Sequence, residues 1–506
     1  MDTSTSFPSL FLPTLCTILI SYIIIKYVLI WNRSSMAAFN LPPSPPKLPI
    51  IGNIHHVFSK NVNQTLWKLS KKYGPVMLID TGAKSFLVVS SSQMAMEVLK
   101  THQEILSTRP SNEGTKRLSY NFSDITFSPH GDHWRDMRKV FVNEFLGPKR
   151  AGWFNQVLRM EIKDVINNLS SNPLNTSINL NEMLLSLVYR VVCKFAFGKS
   201  YREEPFNGVT LKEMLDESMV VLAGSSADMF PTFGWILDKL YGWNDRLEKC
   251  FGNLDGFFEM IINEHLQSAS ETSEDEKDFV HSLVELSLKD PQFTKDYIKA
   301  LLLNVLLGAI DTTFTTIVWA MSEIVKNTQV MQKLQTEIRS CIGRKEEVDA
   351  TDLTNMAYLK MVIKETLRLH PPAPLLFPRE CPSHCKIGGY DVFPGTCVVM
   401  NGWGIARDPN VWKEIPNEFY PERFENFNID FLGNHCEMIP FGAGRRSCPG
   451  MKSATSTIEF TLVNLLYWFD WEVPSGMNNQ DLDMEEDGFL VIQKKSPLFL
   501  IPIKHI

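Results

Sequence analysis

The sequence predicts a mainly helical protein with a smaller β region, an α+β fold, behind one N-terminal membrane-spanning helix. Three observations lead there. Phe7 to Trp31 is apolar over 25 residues, enough to cross a bilayer with some tilt. Val76 to Thr81 and Ser85 to Val89 are rich in β-formers and flank Gly82-Ala83-Lys84, which reads as a hairpin. Most of the chain beyond Val89 has helical length and periodicity. Composition fits: 506 residues, 44 % hydrophobic and with 29 prolines, supply a large core with many loop breaks, and a net charge of −7 gives no reason to expect a nucleic-acid partner. Nine irregularly spaced cysteines make no disulfide framework and point to a reducing compartment.

The apolar run is preceded by Asp2 and followed by the basic residues Arg33 and Lys47, with Lys26 near its end. That order places the N-terminus in the lumen and the rest in the cytoplasm, and no small-residue cleavage site comes after it, which argues against a signal peptide. Sequons such as Asn63-Gln64-Thr65 and Asn121-Phe122-Ser123 would then never meet the glycosylation machinery. Next, Leu41 to Asn53 holds five prolines, too stiff for a floppy tether and suited to fixing the angle of the body on the membrane. The expected division is 1–33 anchor, 34–53 linker and proline-rich hinge, and 54–506 body.

Ser107 to Pro129 is loop-rich, and His133 to Lys139 lies on an expected helix with Trp134 and Arg138 as i,i+4 neighbours, both able to donate to a carboxylate. Met219 to Phe230 is apolar at helical spacing, consistent with core or pocket. Ser268 to Asp278, small, polar and acidic, reads as a surface loop with no packed role. Thr294 to Asn327 is one helical pattern of 34 residues, about 50 Å long, too apolar around Ala300 to Ile310 to face water. Within it Asp311, Thr312 and Thr313 come directly after Gly308-Ala309-Ile310. A buried acid there is costly unless solvated, and a threonine bonded back to the i−4 carbonyl would open the helix locally. Further on, Glu365 and Arg368 share a helix face that Pro371-Pro372 ends. Cys381, His384 and Cys385 are the one group hinting at zinc, and no second pair stands at a matching distance.

The loop Phe441-Gly442-Ala443-Gly444-Arg445-Arg446-Ser447-Cys448-Pro449-Gly450 places one cysteine among glycines and two arginines. Glycines let the backbone turn and bring N–H groups to an anionic sulfur, and the arginines favour the thiolate. Cys448 is read as a haem thiolate ligand. The spacing Phe441-x-x-Gly444-x-Arg446-x-Cys448-x-Gly450 resembles the haem-binding signature of the cytochrome P450 superfamily. Glu365-x-x-Arg368 with Pro421-Glu422-Arg423-Phe424, the Gly308 to Thr312 stretch and Trp134-Arg135-x-x-Arg138 resemble the other motifs of that family, in their usual order. Ala309 stands where a glycine is usual, and Ile310 is bulkier than is frequent. The loop and the Leu369-His370-Pro371-Pro372-Ala373-Pro374 run are similar to the plant microsomal A-type group.

The resemblance implies the cytochrome P450 fold, a triangular helical body with a long central helix, holding haem b. It implies Cys448 on iron; Trp134, Arg138, Arg379, Phe441 and Arg446 around the haem; and Asp311 with Thr312 as the proton-delivery pair. Glu365, Arg368 and Arg423 would form a buried network fixing the cysteine loop. Leu118, Tyr120, Phe122, Gly308, Leu375, Phe377 and Phe489 would line the substrate pocket. The implied activity is insertion of oxygen from O2 into a small apolar plant metabolite, at the endoplasmic reticulum membrane. With no flavin or dinucleotide fingerprint in the chain, electrons would come from NADPH-cytochrome P450 reductase, docking on Lys139, Lys149, Arg150, Arg445 and Lys452. Three rivals stand beside it: a haem-thiolate isomerase or dehydratase acting on a peroxide, a non-enzymatic haem or ligand carrier, and a zinc-bound cysteine protein. Substrate identity and oligomeric state are left open.

Overall fold

The longest helix runs from Lys295 to Lys326, with Thr294 and Asn327 as its flanking caps, the bounds that the periodicity predicts. It is apolar all round, as a helix enclosed on every side must be. Around it pack the helices Leu180–Phe197, Met451–Trp468 and Ala357–Leu369. Among the described residues it alone is long and apolar enough to cross a membrane, but 72 % of that stretch is buried inside the body, so it is a core helix. The structure is a computed structural model and describes residues 17, 20–22, 39–57, 59–173, 175–201, 205–268, 277–413, 415–488 and 490–505. The anchor expected at Phe7 to Trp31 lies almost wholly outside the described residues, and so does Phe489.

The β region is small. Val76–Thr81 pairs antiparallel with Lys84–Val89, with Thr81 opposite Lys84, so Lys84 opens the second strand and the turn is Gly82-Ala83 alone. Gly82 sits at φ +64, the left-handed conformation that such a turn requires. Cys397–Met400 joins parallel to the second strand, and Arg379–Glu380 pairs on its far side. One face of this sheet packs Leu87, Val89, Val398 and Met400 against Leu99 and Ile439; the other sets Met77, Ile79 and Val88 against Leu66.

The proline-rich segment is fastened to the sheet. Pro43 accepts the Leu78 N–H at 2.8 Å. Asn53, fully buried, accepts the Asp80 N–H at 2.9 Å and donates to the carbonyls of Pro45 and Pro46 at 3.1 Å. Within 107–129 a short helix, Glu113–Leu118, is closed by a capping box from Asn112 and Thr115. Tyr120, Asn121 and Phe122 then stand at φ +53, +59 and +63, three consecutive non-glycine residues in left-handed backbone, each costing on the order of 1 kcal/mol. Side chains hold the turn: Ser119 Oγ accepts the Phe122 N–H at 2.9 Å, and Tyr120 donates to Asp255 at 3.0 Å.

One sequence expectation is corrected here. Asp278, assigned to an unpacked loop, is buried and caps the helix Phe279–Lys289 by accepting the His281 N–H at 2.9 Å. A buried N-cap carboxylate reads in sequence like any other acidic loop residue, because its partner lies on another helix.

Candidate active site

Cys448 lies just ahead of the helix Met451–Trp468. Its own N–H donates to Phe441 O at 2.9 Å, closing the loop on itself. Gly444 stands at φ +69, and a Cβ there would lie 2.1 Å from Leu99 O, so neither the backbone conformation nor the space admits a side chain. The N–H groups of Gly450 and Met451, at the start of the helix, point at the sulfur. Burial raises the thiol's pKa, while those two N–H groups and the Arg138 guanidinium act the other way.

The sulfur opens on a largely apolar cavity of about 310 Å³. Gly308, Ala309 and Thr312 of the long helix line it, together with Phe127, Leu376 and Val491. A second cleft, about 830 Å³, is more open and polar, lined by Glu323, His370, Arg407 and Glu486; it holds no cysteine and lies away from the sulfur.

Four guanidinium groups, Arg109, Arg138, Arg379 and Arg446, also line the cysteine cavity. Arg109 donates to Phe377 O at 2.6 Å, Arg138 to Ser447 O at 2.8 Å, Arg379 to Leu106 O at 2.9 Å and Ala443 O at 3.0 Å, and Arg446 to Ser107 O at 2.8 Å and Ile125 O at 3.1 Å. Burial lowers all four; Arg379 falls to about 10 and Arg446 to about 9, and repulsion from Arg379 and Arg446 adds to the depression of Arg109. Asp124 opposes this at Arg109 and Arg446, itself pushed up by burial although it accepts N–H groups from Thr126, Phe127 and Ser128. Crowded buried cations are costly without anions among them. A flat apolar macrocycle carrying two carboxylates, with a thiolate at its iron, matches this donor set: arginines at the margin, apolar walls between, one sulfur on the floor. The residues present fit haem.

Trp134 takes a different place from the one expected. Its ring N–H donates to Ile125 O at 3.1 Å, it does not line the cavity, and the Arg446 guanidinium lies 4.3 Å from its ring centroid. It supports Arg446 instead of reaching the cavity itself. Arg109, by contrast, has no motif around it and was missed; the chain fold alone brings it to Arg379.

On the long helix, Thr312 donates to Gly308 O at 2.7 Å, the back-bond expected, yet the helix stays α-helical throughout. Thr312 lines the cavity and Asp311 does not. Burial, and then the nearby Asp216, push the Asp311 carboxyl up to about 6. Ile310 is fully buried in the core and leaves the cavity untouched, so its bulk does not narrow the groove.

Glu365, Arg368 and Arg423 do come together. Arg368 donates to Glu365 at 2.7 and 2.8 Å, and Arg423 to the same carboxylate at 2.9 Å. Other N–H groups of Arg368 reach Ala406 O and Pro416 O, both at 2.7 Å, so the network fastens the segment leading toward the loop.

Of the expected pocket residues, Gly308 and Phe377 line the cavity. Leu118 and Phe122 pack into the main core, the Tyr120 hydroxyl is spent on Asp255, and Leu375 packs against the Leu66 and Met77 side of the sheet. Leu376, at a left-handed φ of +51 just after the turn closed by its N–H on Ala373 O at 3.1 Å, lines the cavity in place of Leu375. Met219 and Leu222 resolve the core-or-pocket question for that stretch: both line the cavity. Leu490 and Val491 also line it. Cys381, His384 and Cys385 do not converge as a ligand group among the described residues: the two sulfurs lie 3.5 Å apart, and the His384 ring is at Asp391, 2.9 Å away.

A buried cysteine loop under a long helix, ringed by arginines, defines the class of haem-thiolate proteins. The family model "Cytochrome P450" matches residues 42–500, and the chain belongs to that family. It is 46 % identical over 507 residues to eupatolide synthase of Helianthus annuus, covering 100 % of this chain and 99 % of that one. It is 44 % identical over 472 residues to cytochrome P450 71B37 of Arabidopsis thaliana, covering 92 % and 93 %. A solved zebrafish cytochrome P450, in a structure with abiraterone, superposes with a TM-score of 0.72 at 23 % identity, over 88 % of this chain and 100 % of that one, which shows the fold. The protein is a cytochrome P450 monooxygenase, and its cofactor is thiolate-ligated haem.

Proposed function

We propose that this chain, anchored in the endoplasmic reticulum membrane with its body in the cytoplasm, inserts one oxygen atom from O2 into a small, mostly apolar molecule of plant specialised metabolism, of terpenoid, alkaloid or phenylpropanoid type. Cys448 is the proposed iron ligand. The observation that carries the reading is that its sulfur lines one largely apolar cavity together with Gly308, Ala309 and Thr312. When bound, thiolate-ligated haem supplies O2 activation, the thiolate favouring cleavage of the O–O bond.

The residues of the chain do the rest. Arg138, Arg379 and Arg446, with Arg109, line the cavity and would hold the cofactor's carboxylates. The Gly450 and Met451 N–H groups oppose the burial that raises the Cys448 pKa, and would stabilise the thiolate once it ligates iron. Thr312 Oγ offers a proton at the cavity wall, and Asp311, poised near neutrality by burial, refills it from the solvent side. Phe127, Met219, Leu222, Leu376 and Val491 exclude bulk water and orient a C–H bond toward the iron. Retention of the Asp311-Thr312 pair favours this over the peroxide isomerase, which needs no proton delivery to oxygen.

Electrons arrive from an NADPH-dependent reductase. Lys139, Lys149 and Lys452 are exposed and suit a docking surface; Arg150 leaves that set, since it is engaged with Lys277 O and Ser282 Oγ, and Arg445 pairs with Glu104 at 2.6 Å. Membrane contact is supported by Leu48 and Ile50 and by Trp235, Leu240 and Tyr241, all exposed, in segments that flank the Gly82 hairpin. The reading is tested on the reduced carbon monoxide adduct of the purified protein. A red-shifted thiolate Soret band is expected, lost in Cys448→Ala; its survival in that variant removes Cys448 from the iron.

A further inference from the structure

We propose that His265, Asp278 and His281 form a binding site for a transition-metal dication of the zinc class, separate from the haem. One potential ligand atom from each lies within 4.8 Å of the others. His265 stands on the last turns of the helix Trp243–Ser268, and Asp278 caps the helix that carries His281. All three side chains are at most 11 % exposed.

The hydrogen bonds fix the chemistry. His265 Nδ1 lies 2.7 Å from Ile261 O, an atom that only accepts, so Nδ1 carries the proton. That leaves the lone pair of a neutral ring on Nε2, which lies 2.9 Å from Asp278 Oδ2. Two lone pairs at that distance repel unless a positive species joins them, a second proton or a metal ion. A ring N–H donated to a backbone carbonyl, with the other nitrogen facing outward beside a carboxylate, is how metal-ligating histidines are oriented.

A second imidazole favours the metal over the proton. His281 Nδ1 lies 3.0 Å from Asp278 Oδ1, and its ring meets that of His265 at 4.4 Å and 67°, so a second imidazole approaches the same carboxylate from another direction. A proton needs one imidazole; two and a carboxylate match the three protein ligands of a tetrahedral zinc site whose fourth position is water. The carboxylate itself is given room by a glycine. Gly198, at φ +77 beyond the helix Leu180–Phe197, approaches Asp278 so closely that a Cβ there would lie 2.6 Å from Oδ2. Donors on zinc stand about 3.3 Å apart, so closing on the ion takes side-chain shifts of less than about 1 Å. The ion would pin the end of one helix to the start of the next across a connection whose ends are 13 positions apart.

The test uses full-length protein with its haem in place, stripped with a chelator and then titrated with zinc chloride against a chromophoric competitor. Zinc uptake of one per haem iron is expected, weakened at least about tenfold in His281→Ala and in Asp278→Asn, with the carbon monoxide band unchanged. Equal uptake by wild type and His281→Ala, or no uptake by wild type, overturns the proposal. Should the variants not fold, zinc-edge absorption on wild type decides: two imidazoles in the coordination shell support the site, and a shell without imidazole overturns it.

Discussion

Arg368 is fully buried, a place a guanidinium tolerates only while its N–H groups find acceptors. Glu365, equally buried, takes two of them and one from Arg423. Glu365→Ala leaves two buried cations facing a void and should cost about 3–5 kcal/mol. The expected outcome is a lowered Tm and loss of bound haem during purification, read from the ratio of haem to protein absorbance; a variant that keeps both would remove the network from structural duty. Asp311 carries a pH-dependent prediction. Its carboxyl rises from 3.8 to about 6, so the folded chain holds that proton more tightly than the unfolded one. The resulting stability is complete below the unfolded pKa and is lost as pH rises through about 6, in all about 3 kcal/mol. Asp311→Asn should therefore match wild type near pH 4 and melt higher than wild type above pH 6, while diverting reductant from product to peroxide. Melting curves across that range, with peroxide and product measured together, check both halves.

At the scale of elements, the cysteine loop separates two kinds of glycine. Gly442 and Gly444 share a left-handed backbone, φ +67 and +69, but a Cβ on Gly442 meets nothing within 4 Å whereas one on Gly444 strikes Leu99 O. Gly442→Ala should cost only the backbone strain, about 1 kcal/mol, and Gly444→Ala should in addition displace the loop and abolish haem retention; spectral titration of both variants with haem checks the order. The long helix and the hairpin were legible to within a residue, because their signals are periodic and local. Tyr120 to Phe122 were not. Left-handed backbone there has no glycine to announce it, and the turn sends Tyr120 to Asp255 and Phe122 into the core, away from the cavity for which the sequence suggested them.

For the whole molecule, the proposed membrane attachment is tested at the exposed apolar residues around Trp235 and Tyr241. A chain lacking residues 1–33 should still sediment with lipid vesicles, and further replacement of Trp235, Leu240 and Tyr241 by serine should release it; release by the deletion alone would leave the anchor as sole attachment.

The sequence by itself determined the chemistry: Cys448 and its glycines, the Glu365 and Arg368 pair, and Thr312 four residues after Gly308 each depend on neighbours a few positions away. The tertiary structure decided the walls. Arg109 meets Arg379 and Arg138 meets Ser447, because those contacts join segments far apart in the chain, whose meeting is set by the packing of whole helices around Lys295–Lys326; Trp134 with Ile125 and Asp278 with His265 are nearer in sequence, but their pairing carries no periodic signal. Short-range spacing encodes what a loop can bind; which side chains share a cavity is a property of the assembled core.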